Sequence, residues 1–266
     1  MKEELGTAKE LAVQAGRILL EHFERPPSVH WKGQNDPVTD ADRAASDFIT
    51  AELQRRFPGD AVVCEETTDD SRRLSASRVW MVDPMDGTKE FIARNTEFAV
   101  MIGLAIEGAA RMGVVYQPAT GILYYAAEGG GAYRDHNGAS VRLQVSEETN
   151  PGQMIMAVSR SHPSKRVDLI RQGLGVPRTI SSGSMGLKVG LICDRRAHLY
   201  LYTTPHTYQW DTCAPEAILL EAGGCMTDLR NRRLVYNTPE LKNINGVIAS
   251  NGVIHDRIAE VVREVL

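Results

Sequence analysis

The chain has 266 residues, 42% of them hydrophobic, enough to bury a core as one large domain or two closely packed lobes, and this composition excludes a disordered chain. Its 34 acidic and 30 basic residues include no dense Lys/Arg block, which excludes duplex nucleic acid and an anionic membrane surface as partners but leaves room for a small anionic ligand. The start Met1-Lys2-Glu3-Glu4 lacks the apolar core of a signal peptide and no run approaches the roughly 18 apolar residues of a membrane span, so a cytoplasmic location is expected.

Leu5, Ala8, Leu11, Ala12, Ala15, Ile18, Leu19 and Phe23 recur at helical spacing and predict an opening amphipathic helix over 5–23, stopped by Pro26-Pro27. The polar stretch 31–40, with Gly33, Gln34, Asn35 and Pro37, reads as a surface loop before a second helix over 40–57. Thr39 and Asp42 have the spacing of a capping box at its start. Residues 61–64 form a short apolar strand that ends in Glu65-Glu66, and 79–82 form a second that ends in Asp83-Pro84-Met85-Asp86-Gly87-Thr88. Proline cannot continue a ladder and Gly87 permits a tight turn, so Asp83 and Asp86 are expected where that strand stops. Four apolar runs over 98–106, 111–117, 121–127 and 131–134 predict an antiparallel meander.

A composition shift at 147–152 separates a lobe over 1–148 from a more α/β-like lobe over 149–266, the two forming one catalytic unit. In the second lobe, strands are expected over 154–159, 198–202, 226–229 and 246–250. Helices are expected over 163–173, 186–193, 210–221 and 254–266. Asp211 stands at the positive end of the third of these helices, where its ordinary role would be an N-cap. Cys64, Cys193, Cys213 and Cys225 lack metal-ligand or disulfide-frame spacing and read as reduced thiols.

Glu65, Asp83, Asp86 and Asp211 each lie at a strand end or helix start, where the backbone can aim a side chain into a crevice. Asp83 and Asp86 would repel each other unless a positive charge lies between them. An all-oxygen set of this kind suits Mg²⁺ or Mn²⁺ rather than zinc, and it can hold two ions roughly 3.5–4 Å apart for phosphoryl transfer to water. The backbone N–H groups of Gly87 and Thr88 would face a phosphate. The Thr88 hydroxyl can orient a water if an acceptor such as Asp42 stands behind it. The alternative from another class is a metal-dependent binding or regulatory protein that uses the same acids without turnover.

With Glu65-Glu66 upstream and Trp210-Asp211 downstream, Asp83-Pro84-Met85-Asp86-Gly87-Thr88 resembles the motifs of the lithium-inhibited, magnesium-dependent inositol monophosphatase superfamily. The resemblance extends from Asp36-Pro37-Val38-Thr39-Asp40-Ala41-Asp42 to Glu221-Ala222-Gly223-Gly224. Within that superfamily, Gly87-Thr88-Lys89-Glu90-Phe91-Ile92 looks most like the 3′(2′),5′-bisphosphate nucleotidases of the CysQ type; inositol monophosphatases more usually have Thr-Asn-Phe there. The resemblance implies a layered α-β-α-β-α sandwich. It also implies two or three magnesium ions held by Glu65, Asp83, Asp86, Asp211 and the Met85 carbonyl, with Glu66 acting through water or at a third ion. Thr88 and Asp42 match the water-activating pair.

The implied substrate is a small phosphorylated molecule, adenosine 3′,5′-bisphosphate before an inositol or sugar phosphate. Gly87, Thr88 and Asp211 are implied at its phosphate, and Ser159, Arg160, Ser161, His162, Ser184 and Lys188 around its remainder, where Arg160 or Lys188 would neutralise the second phosphate. The stretch 203–209 departs from the family pattern, which often has an arginine or glycine-rich turn before Trp-Asp; His206 and Tyr208 are candidates for stacking a base. Inhibition by lithium and a homodimer are also implied.

Overall fold

In the computed structural model, residues 1–33 and 36–266 are described; Gln34 and Asn35 of the expected loop lie outside the described residues. Helix α1 (Lys2–Phe23) buries Ala8, Leu11, Ala12, Ala15 and Leu19 along one stripe, as the helical spacing requires. The next segment is not the loop that its polarity suggested. Strands β1 (Val29–Gly33) and β2 (Asp36–Thr39) pair antiparallel as a two-stranded ribbon, and a ribbon tolerates Pro37 because both of its strands are edges. Helix α2 (Asp40–Arg56) follows at once, opened by the predicted Thr39/Asp42 capping box.

A seven-stranded sheet is built in chain order from β3 (Ala61–Cys64), β4 (Arg78–Asp86), β5 (Ala99–Ile106), β6 (Ala109–Gln117), β7 (Ile122–Ala127), β8 (Ala132–His136) and β9 (Ala139–Arg142). Strand β3 runs parallel to β4, and every later pairing is antiparallel. The exposed strand β9 extends the meander one strand beyond expectation. Strand β4 also corrects the expectation that its ladder ends at Asp83. Asp83 faces Met101 and Asp86 faces Ala99, so β4 takes three steps where β5 takes two. The surplus residue makes a bulge at Pro84-Met85, which lets the ladder pass a proline and re-aims the side chains around it. The five-residue helix α3 (Thr88–Ile92) comes next.

The second sheet has the order β11-β10-β12-β14-β13, from β10 (Ile155–Ser159), β11 (Arg178–Ser182), β12 (Leu199–Tyr202), β13 (Cys225–Thr227) and β14 (Val247–Ser250). Its helices are α4 (Lys165–Leu174), α5 (Met185–Cys193), α6 (Gln209–Glu221) and α7 (His255–Val265). Alternation along the strands sorts the layers. In the first sheet, Trp80, Val82, Val100, Ile102, Leu104 and Val114 pack on α1 and α2. On its other face, Ala99, Met101 and Val115 pack with α5 and α6, which also cover Ala157, Tyr200 and Ala249 of the second sheet. Helices α4 and α7 cover the far side through Ile170, Leu174, Ile258 and Val262. The result is the layered α-β-α-β-α sandwich.

Helix α6 lies unusually close to the first sheet, on Gly103 and Gly113, which face each other across β5 and β6. A Cβ at Gly113 would stand 2.1 Å from the Ala214 carbonyl oxygen, and one at Gly103 would stand 2.7 Å from Cys213 Sγ. Any larger residue would lift the helix. The same helix buries Glu216, whose Oε2 accepts the Tyr236 hydroxyl at 2.5 Å. Burial pushes this carboxyl up to about 7 from its ordinary 4.5. The folded protein therefore holds the proton more tightly than the unfolded chain does, so stability is lost as pH rises from about 4.5 through about 7. Glu216→Gln keeps the acceptor and removes the charge. Chemical denaturation should show the variant similar to wild type near pH 4.5 and more stable at pH 8 by on the order of 3 kcal/mol; an unchanged pH profile would count against the assignment.

Candidate active site

Because β3 and β4 are parallel, Glu65 and Asp83 leave neighbouring strands at the same end of the sheet. The bulge returns Asp86 to the ladder beside them, and α6 brings Asp211 across from the second half of the chain. All four acids, with Met85, Gly87 and Thr88, line one cavity of about 540 Å³.

Local bonds fix where these carboxyls point. The Met85 N–H donates to Asp83 Oδ1 at 3.0 Å. The Gly186 N–H donates to Asp86 Oδ2 at 3.0 Å, and the Ser184 hydroxyl donates to the same oxygen. The Tyr208 N–H donates to Asp211 Oδ2 at 2.7 Å. Asp211 thus closes a capping box from inside the helix; the N-cap itself is Tyr208.

The crowding has an electrostatic cost. Burial raises Asp83 well above the usual carboxylate range, and Glu65, Asp86 and Asp211 raise it further. Asp211 is raised by burial together with Glu65 and Asp86. Burial also raises Asp86, against the opposing pull of Lys188, and it raises Glu65 against that of Lys32. The cluster holds more negative charge than its surroundings balance. Lys32 from β1 donates to Glu65 Oε1 at 2.7 Å and to Glu66 Oε1 at 2.8 Å. Burial would lower this ammonium's pKa, but the two carboxylates outweigh it and hold the value above the ordinary one.

Buried hard oxygens in mutual repulsion fit a divalent cation such as Mg²⁺ or Mn²⁺, with the Met85 carbonyl as a further donor. Among the described residues no three acids already stand at ion-holding spacing, so the carboxyls would have to turn about their χ angles to close on one ion.

Behind the cavity wall, Asp42 is buried and accepts the Thr88 hydroxyl at 3.0 Å through Oδ1, while its Oδ2 accepts the Thr39 N–H at 2.7 Å. The capping and the relay geometry therefore coexist on two oxygens of one carboxyl. Burial, opposed by the Thr39 bonds, pushes Asp42 up to about 6. The Thr88 hydroxyl also lies 3.3 Å from the Met85 carbonyl. Gly87 has φ of 107°, and a Cβ there would meet the Glu97 carbonyl at 3.0 Å, so the turn before α3 requires glycine.

The other predicted residues divide. Ser159, His162, His206, Tyr208 and Lys188 line the cavity. Lys188 is buried, donates to the Gly183 carbonyl at 2.5 Å, and is lowered to about 8 by burial against the pull of Asp86 and Glu90. Arg160 does not reach the cavity: its guanidinium is engaged by both oxygens of Glu97 at 2.7 Å. Ser161 donates to Glu90, Ser184 is buried behind Asp86, and Glu66 is not part of the cavity wall. Tyr208 stacks on Trp210 with ring centroids 4.5 Å apart, so one of its faces is already covered. Sequence reasoning missed Lys32 and Lys89. Lys89 Nζ lies 2.9 Å from His162 Nε2 at the cavity, a contact that requires the imidazole to accept; burial and the nearby ammonium both lower the His162 pKa.

A model of the inositol monophosphatase family matches residues 1–266. The chain is 37% identical over 234 residues to the 3′(2′),5′-bisphosphate nucleotidase CysQ of Salmonella typhimurium, covering 87% of this chain and 93% of that one. It is 33% identical over 261 residues to a histidinol-phosphatase of Chlorobaculum parvum, covering 94% and 95%. The solved structure of CysQ from Bacteroides thetaiotaomicron, a bacterial member of the inositol monophosphatase family, superposes with a TM-score of 0.80 at 32% identity, covering 94% of this chain and 98% of that one.

Proposed function

The chain belongs to the inositol monophosphatase family and is a phosphatase, and from that premise we propose that its substrate is a 3′(2′),5′-bisphosphate nucleotide. Adenosine 3′,5′-bisphosphate would yield AMP and phosphate, with divalent cations held by Glu65, Asp83, Asp86, Asp211 and the Met85 carbonyl. The observation that carries this reading is that the cavity lined by Glu65, Asp83, Asp86 and Asp211 is also lined by two ammonium groups, Lys89 and Lys188. A substrate with a second phosphate would use cations beyond those that the scissile phosphate needs.

When bound, a divalent cation supplies Lewis acidity to phosphoryl oxygens and acidifies water. The rest falls to the chain's own groups. The Thr88 hydroxyl donates to Asp42, which leaves its oxygen lone pairs to orient a water, and Asp42 stands ready to take a proton through that hydroxyl. Gly87 keeps the backbone open for close approach of a phosphate. Lys188 and Lys89 neutralise phosphate charge. No cysteine, histidine or aspartate occupies a nucleophile motif, so water attacks phosphorus directly. The lobes 1–148 and 149–266 act as one unit in this reading, because Asp211 comes from the second and the other acids from the first.

The test compares phosphate release, with and without Mg²⁺, from adenosine 3′,5′-bisphosphate, inositol 1-phosphate, fructose 1,6-bisphosphate and histidinol phosphate. The last is included because of the histidinol-phosphatase relative. Far better turnover of any of the other three than of the nucleotide would overturn the substrate assignment. Release that ignores Mg²⁺ would overturn the cation, and no release from any of them would favour a binding or regulatory role. Within this reading, Lys89→Met should raise KM for the bisphosphate by about tenfold, the worth of one lost charge-assisted hydrogen bond, while KM for a monophosphate stays within about twofold. Equal rises for both substrates would place Lys89 at the scissile phosphate instead.

A further inference from the structure

We propose that Gln209 and Asn243 are positioning residues for Asp211, and that the segment 237–243 braces the first turn of α6 against the strand carrying Asp83 and Asp86; this rests on the reading of Asp211 as a cation ligand.

The first turn of α6 needs such support. Pro215 lies inside the helix and has no N–H, so the Asp211 carbonyl lacks its partner four residues on. Besides local bonds such as that from the Asp211 N–H to the Tyr208 carbonyl at 3.1 Å, the turn is held by groups from elsewhere in the chain. The Tyr208 peptide is the pivot: its N–H donates to Asp211 Oδ2 at 2.7 Å, and its carbonyl accepts Asn243 Nδ2 at 2.7 Å. The Asn243 N–H donates to the Thr207 carbonyl at 2.8 Å. Gln209, buried, donates its N–H to the Leu241 carbonyl at 2.9 Å. Its side chain donates to Thr238 Oγ1 at 2.7 Å and to the Glu240 carbonyl at 3.0 Å, and accepts the Asn237 N–H at 2.7 Å. Both amide donors and the amide oxygen are engaged, so breaking any of these bonds strands a polar group of the buried Gln209 side chain.

The brace also reaches the strand that carries two of the other acids. Asn237 Nδ2 donates to the Arg73 carbonyl at 2.8 Å and to the Ala76 carbonyl at 3.1 Å, just before β4 begins at Arg78. One hydrogen-bonded path therefore joins the lead-in of the strand that holds Asp83 and Asp86 to the turn that holds Asp211. Groups that orient ligands in this indirect way typically change cation affinity by roughly 10-fold or more when lost.

The experiment measures Mn²⁺ binding by electron paramagnetic resonance, the Mg²⁺ dependence of phosphate release, KM at saturating Mg²⁺ and Tm. The proteins are wild type, Asn243→Leu, Gln209→Met, Thr238→Val and Asp211→Asn. Asn243→Leu and Gln209→Met keep volume and lose the donors. Each should weaken Mn²⁺ binding by roughly tenfold and raise the Mg²⁺ needed for half-maximal rate to match, with KM at saturating Mg²⁺ within about twofold. Should either fail to fold, Thr238→Val removes only one outer partner of Gln209 and should shift Mn²⁺ binding in the same direction by about two- to tenfold. A lowered Tm with unchanged Mn²⁺ binding in these variants, while Asp211→Asn weakens binding, overturns the brace alone. Unchanged binding in Asp211→Asn overturns the site reading beneath it.

Discussion

Asp86→Asn is expected to cut phosphate release by at least about a thousandfold and to leave the fold intact. The substitution removes charge without volume, and the amide oxygen can still accept from Ser184 and the Gly186 N–H. What is lost is a donor to the cation. Lewis-acid stabilisation of a phosphoryl transition state is worth several kcal/mol, and about 1.4 kcal/mol is tenfold in rate. Stability should hold or improve, because burial raises the pKa of Asp86 in spite of the opposing pull of Lys188, and a neutral side chain escapes that burial cost. The check is kcat at saturating Mg²⁺ alongside Tm. Retention of more than a tenth of wild-type turnover would remove Asp86 from the essential set.

The second large effect concerns the relay. Thr88→Ala and Asp42→Asn should each lower turnover by about 10²–10⁴, the usual worth of positioned proton transfer, with Mn²⁺ affinity much less affected. Because the two groups act as one unit through a 3.0 Å bond, the double variant should be scarcely worse than either single one. The pH profile gives an independent reading. Asp42 must be ionised to take a proton through Thr88, and its carboxyl is pushed up to about 6. Wild-type kcat/KM should therefore fall as pH drops below about 6, by about tenfold per unit, and Asp42→Asn should flatten that limb. Additive losses, or a loss of Mn²⁺ affinity as large as the loss of turnover, would return Thr88 and Asp42 to a purely capping role.

Much of the site was legible because its residues follow hydrophobic runs. Glu65 and the Asp83-to-Thr88 stretch mark the ends of apolar strands, and strand ends point into crevices whatever the tertiary detail. The capping-box spacing of Thr39 and Asp42 was equally visible, although the sequence offered capping and relay as competing roles where one carboxyl serves both. Three things could not be read. Proline at position 84 argued for the end of a ladder, and only the pairing with β5 shows a bulge carrying the strand past it. Strands β1 and β11 are largely exposed and lack the apolar alternation that marks a half-buried strand. Lys32 sits on the first of them and was lost with it. Arg160 looked free to meet a phosphate because its partner, Glu97, is 63 residues away in the chain and nothing local signals the pair.

The close seat of α6 on Gly103 and Gly113 bears on how the polypeptide is made. A ribosome that has released only the first lobe has released a sheet with one finished side, since the helices that cover the other, α5 and α6, are encoded after position 184. Folding of that sheet must wait for the later sequence, and until then its bare side is open to aggregation. Two co-expressed pieces cut near 148 should recover each other in solution, whereas either made alone should precipitate.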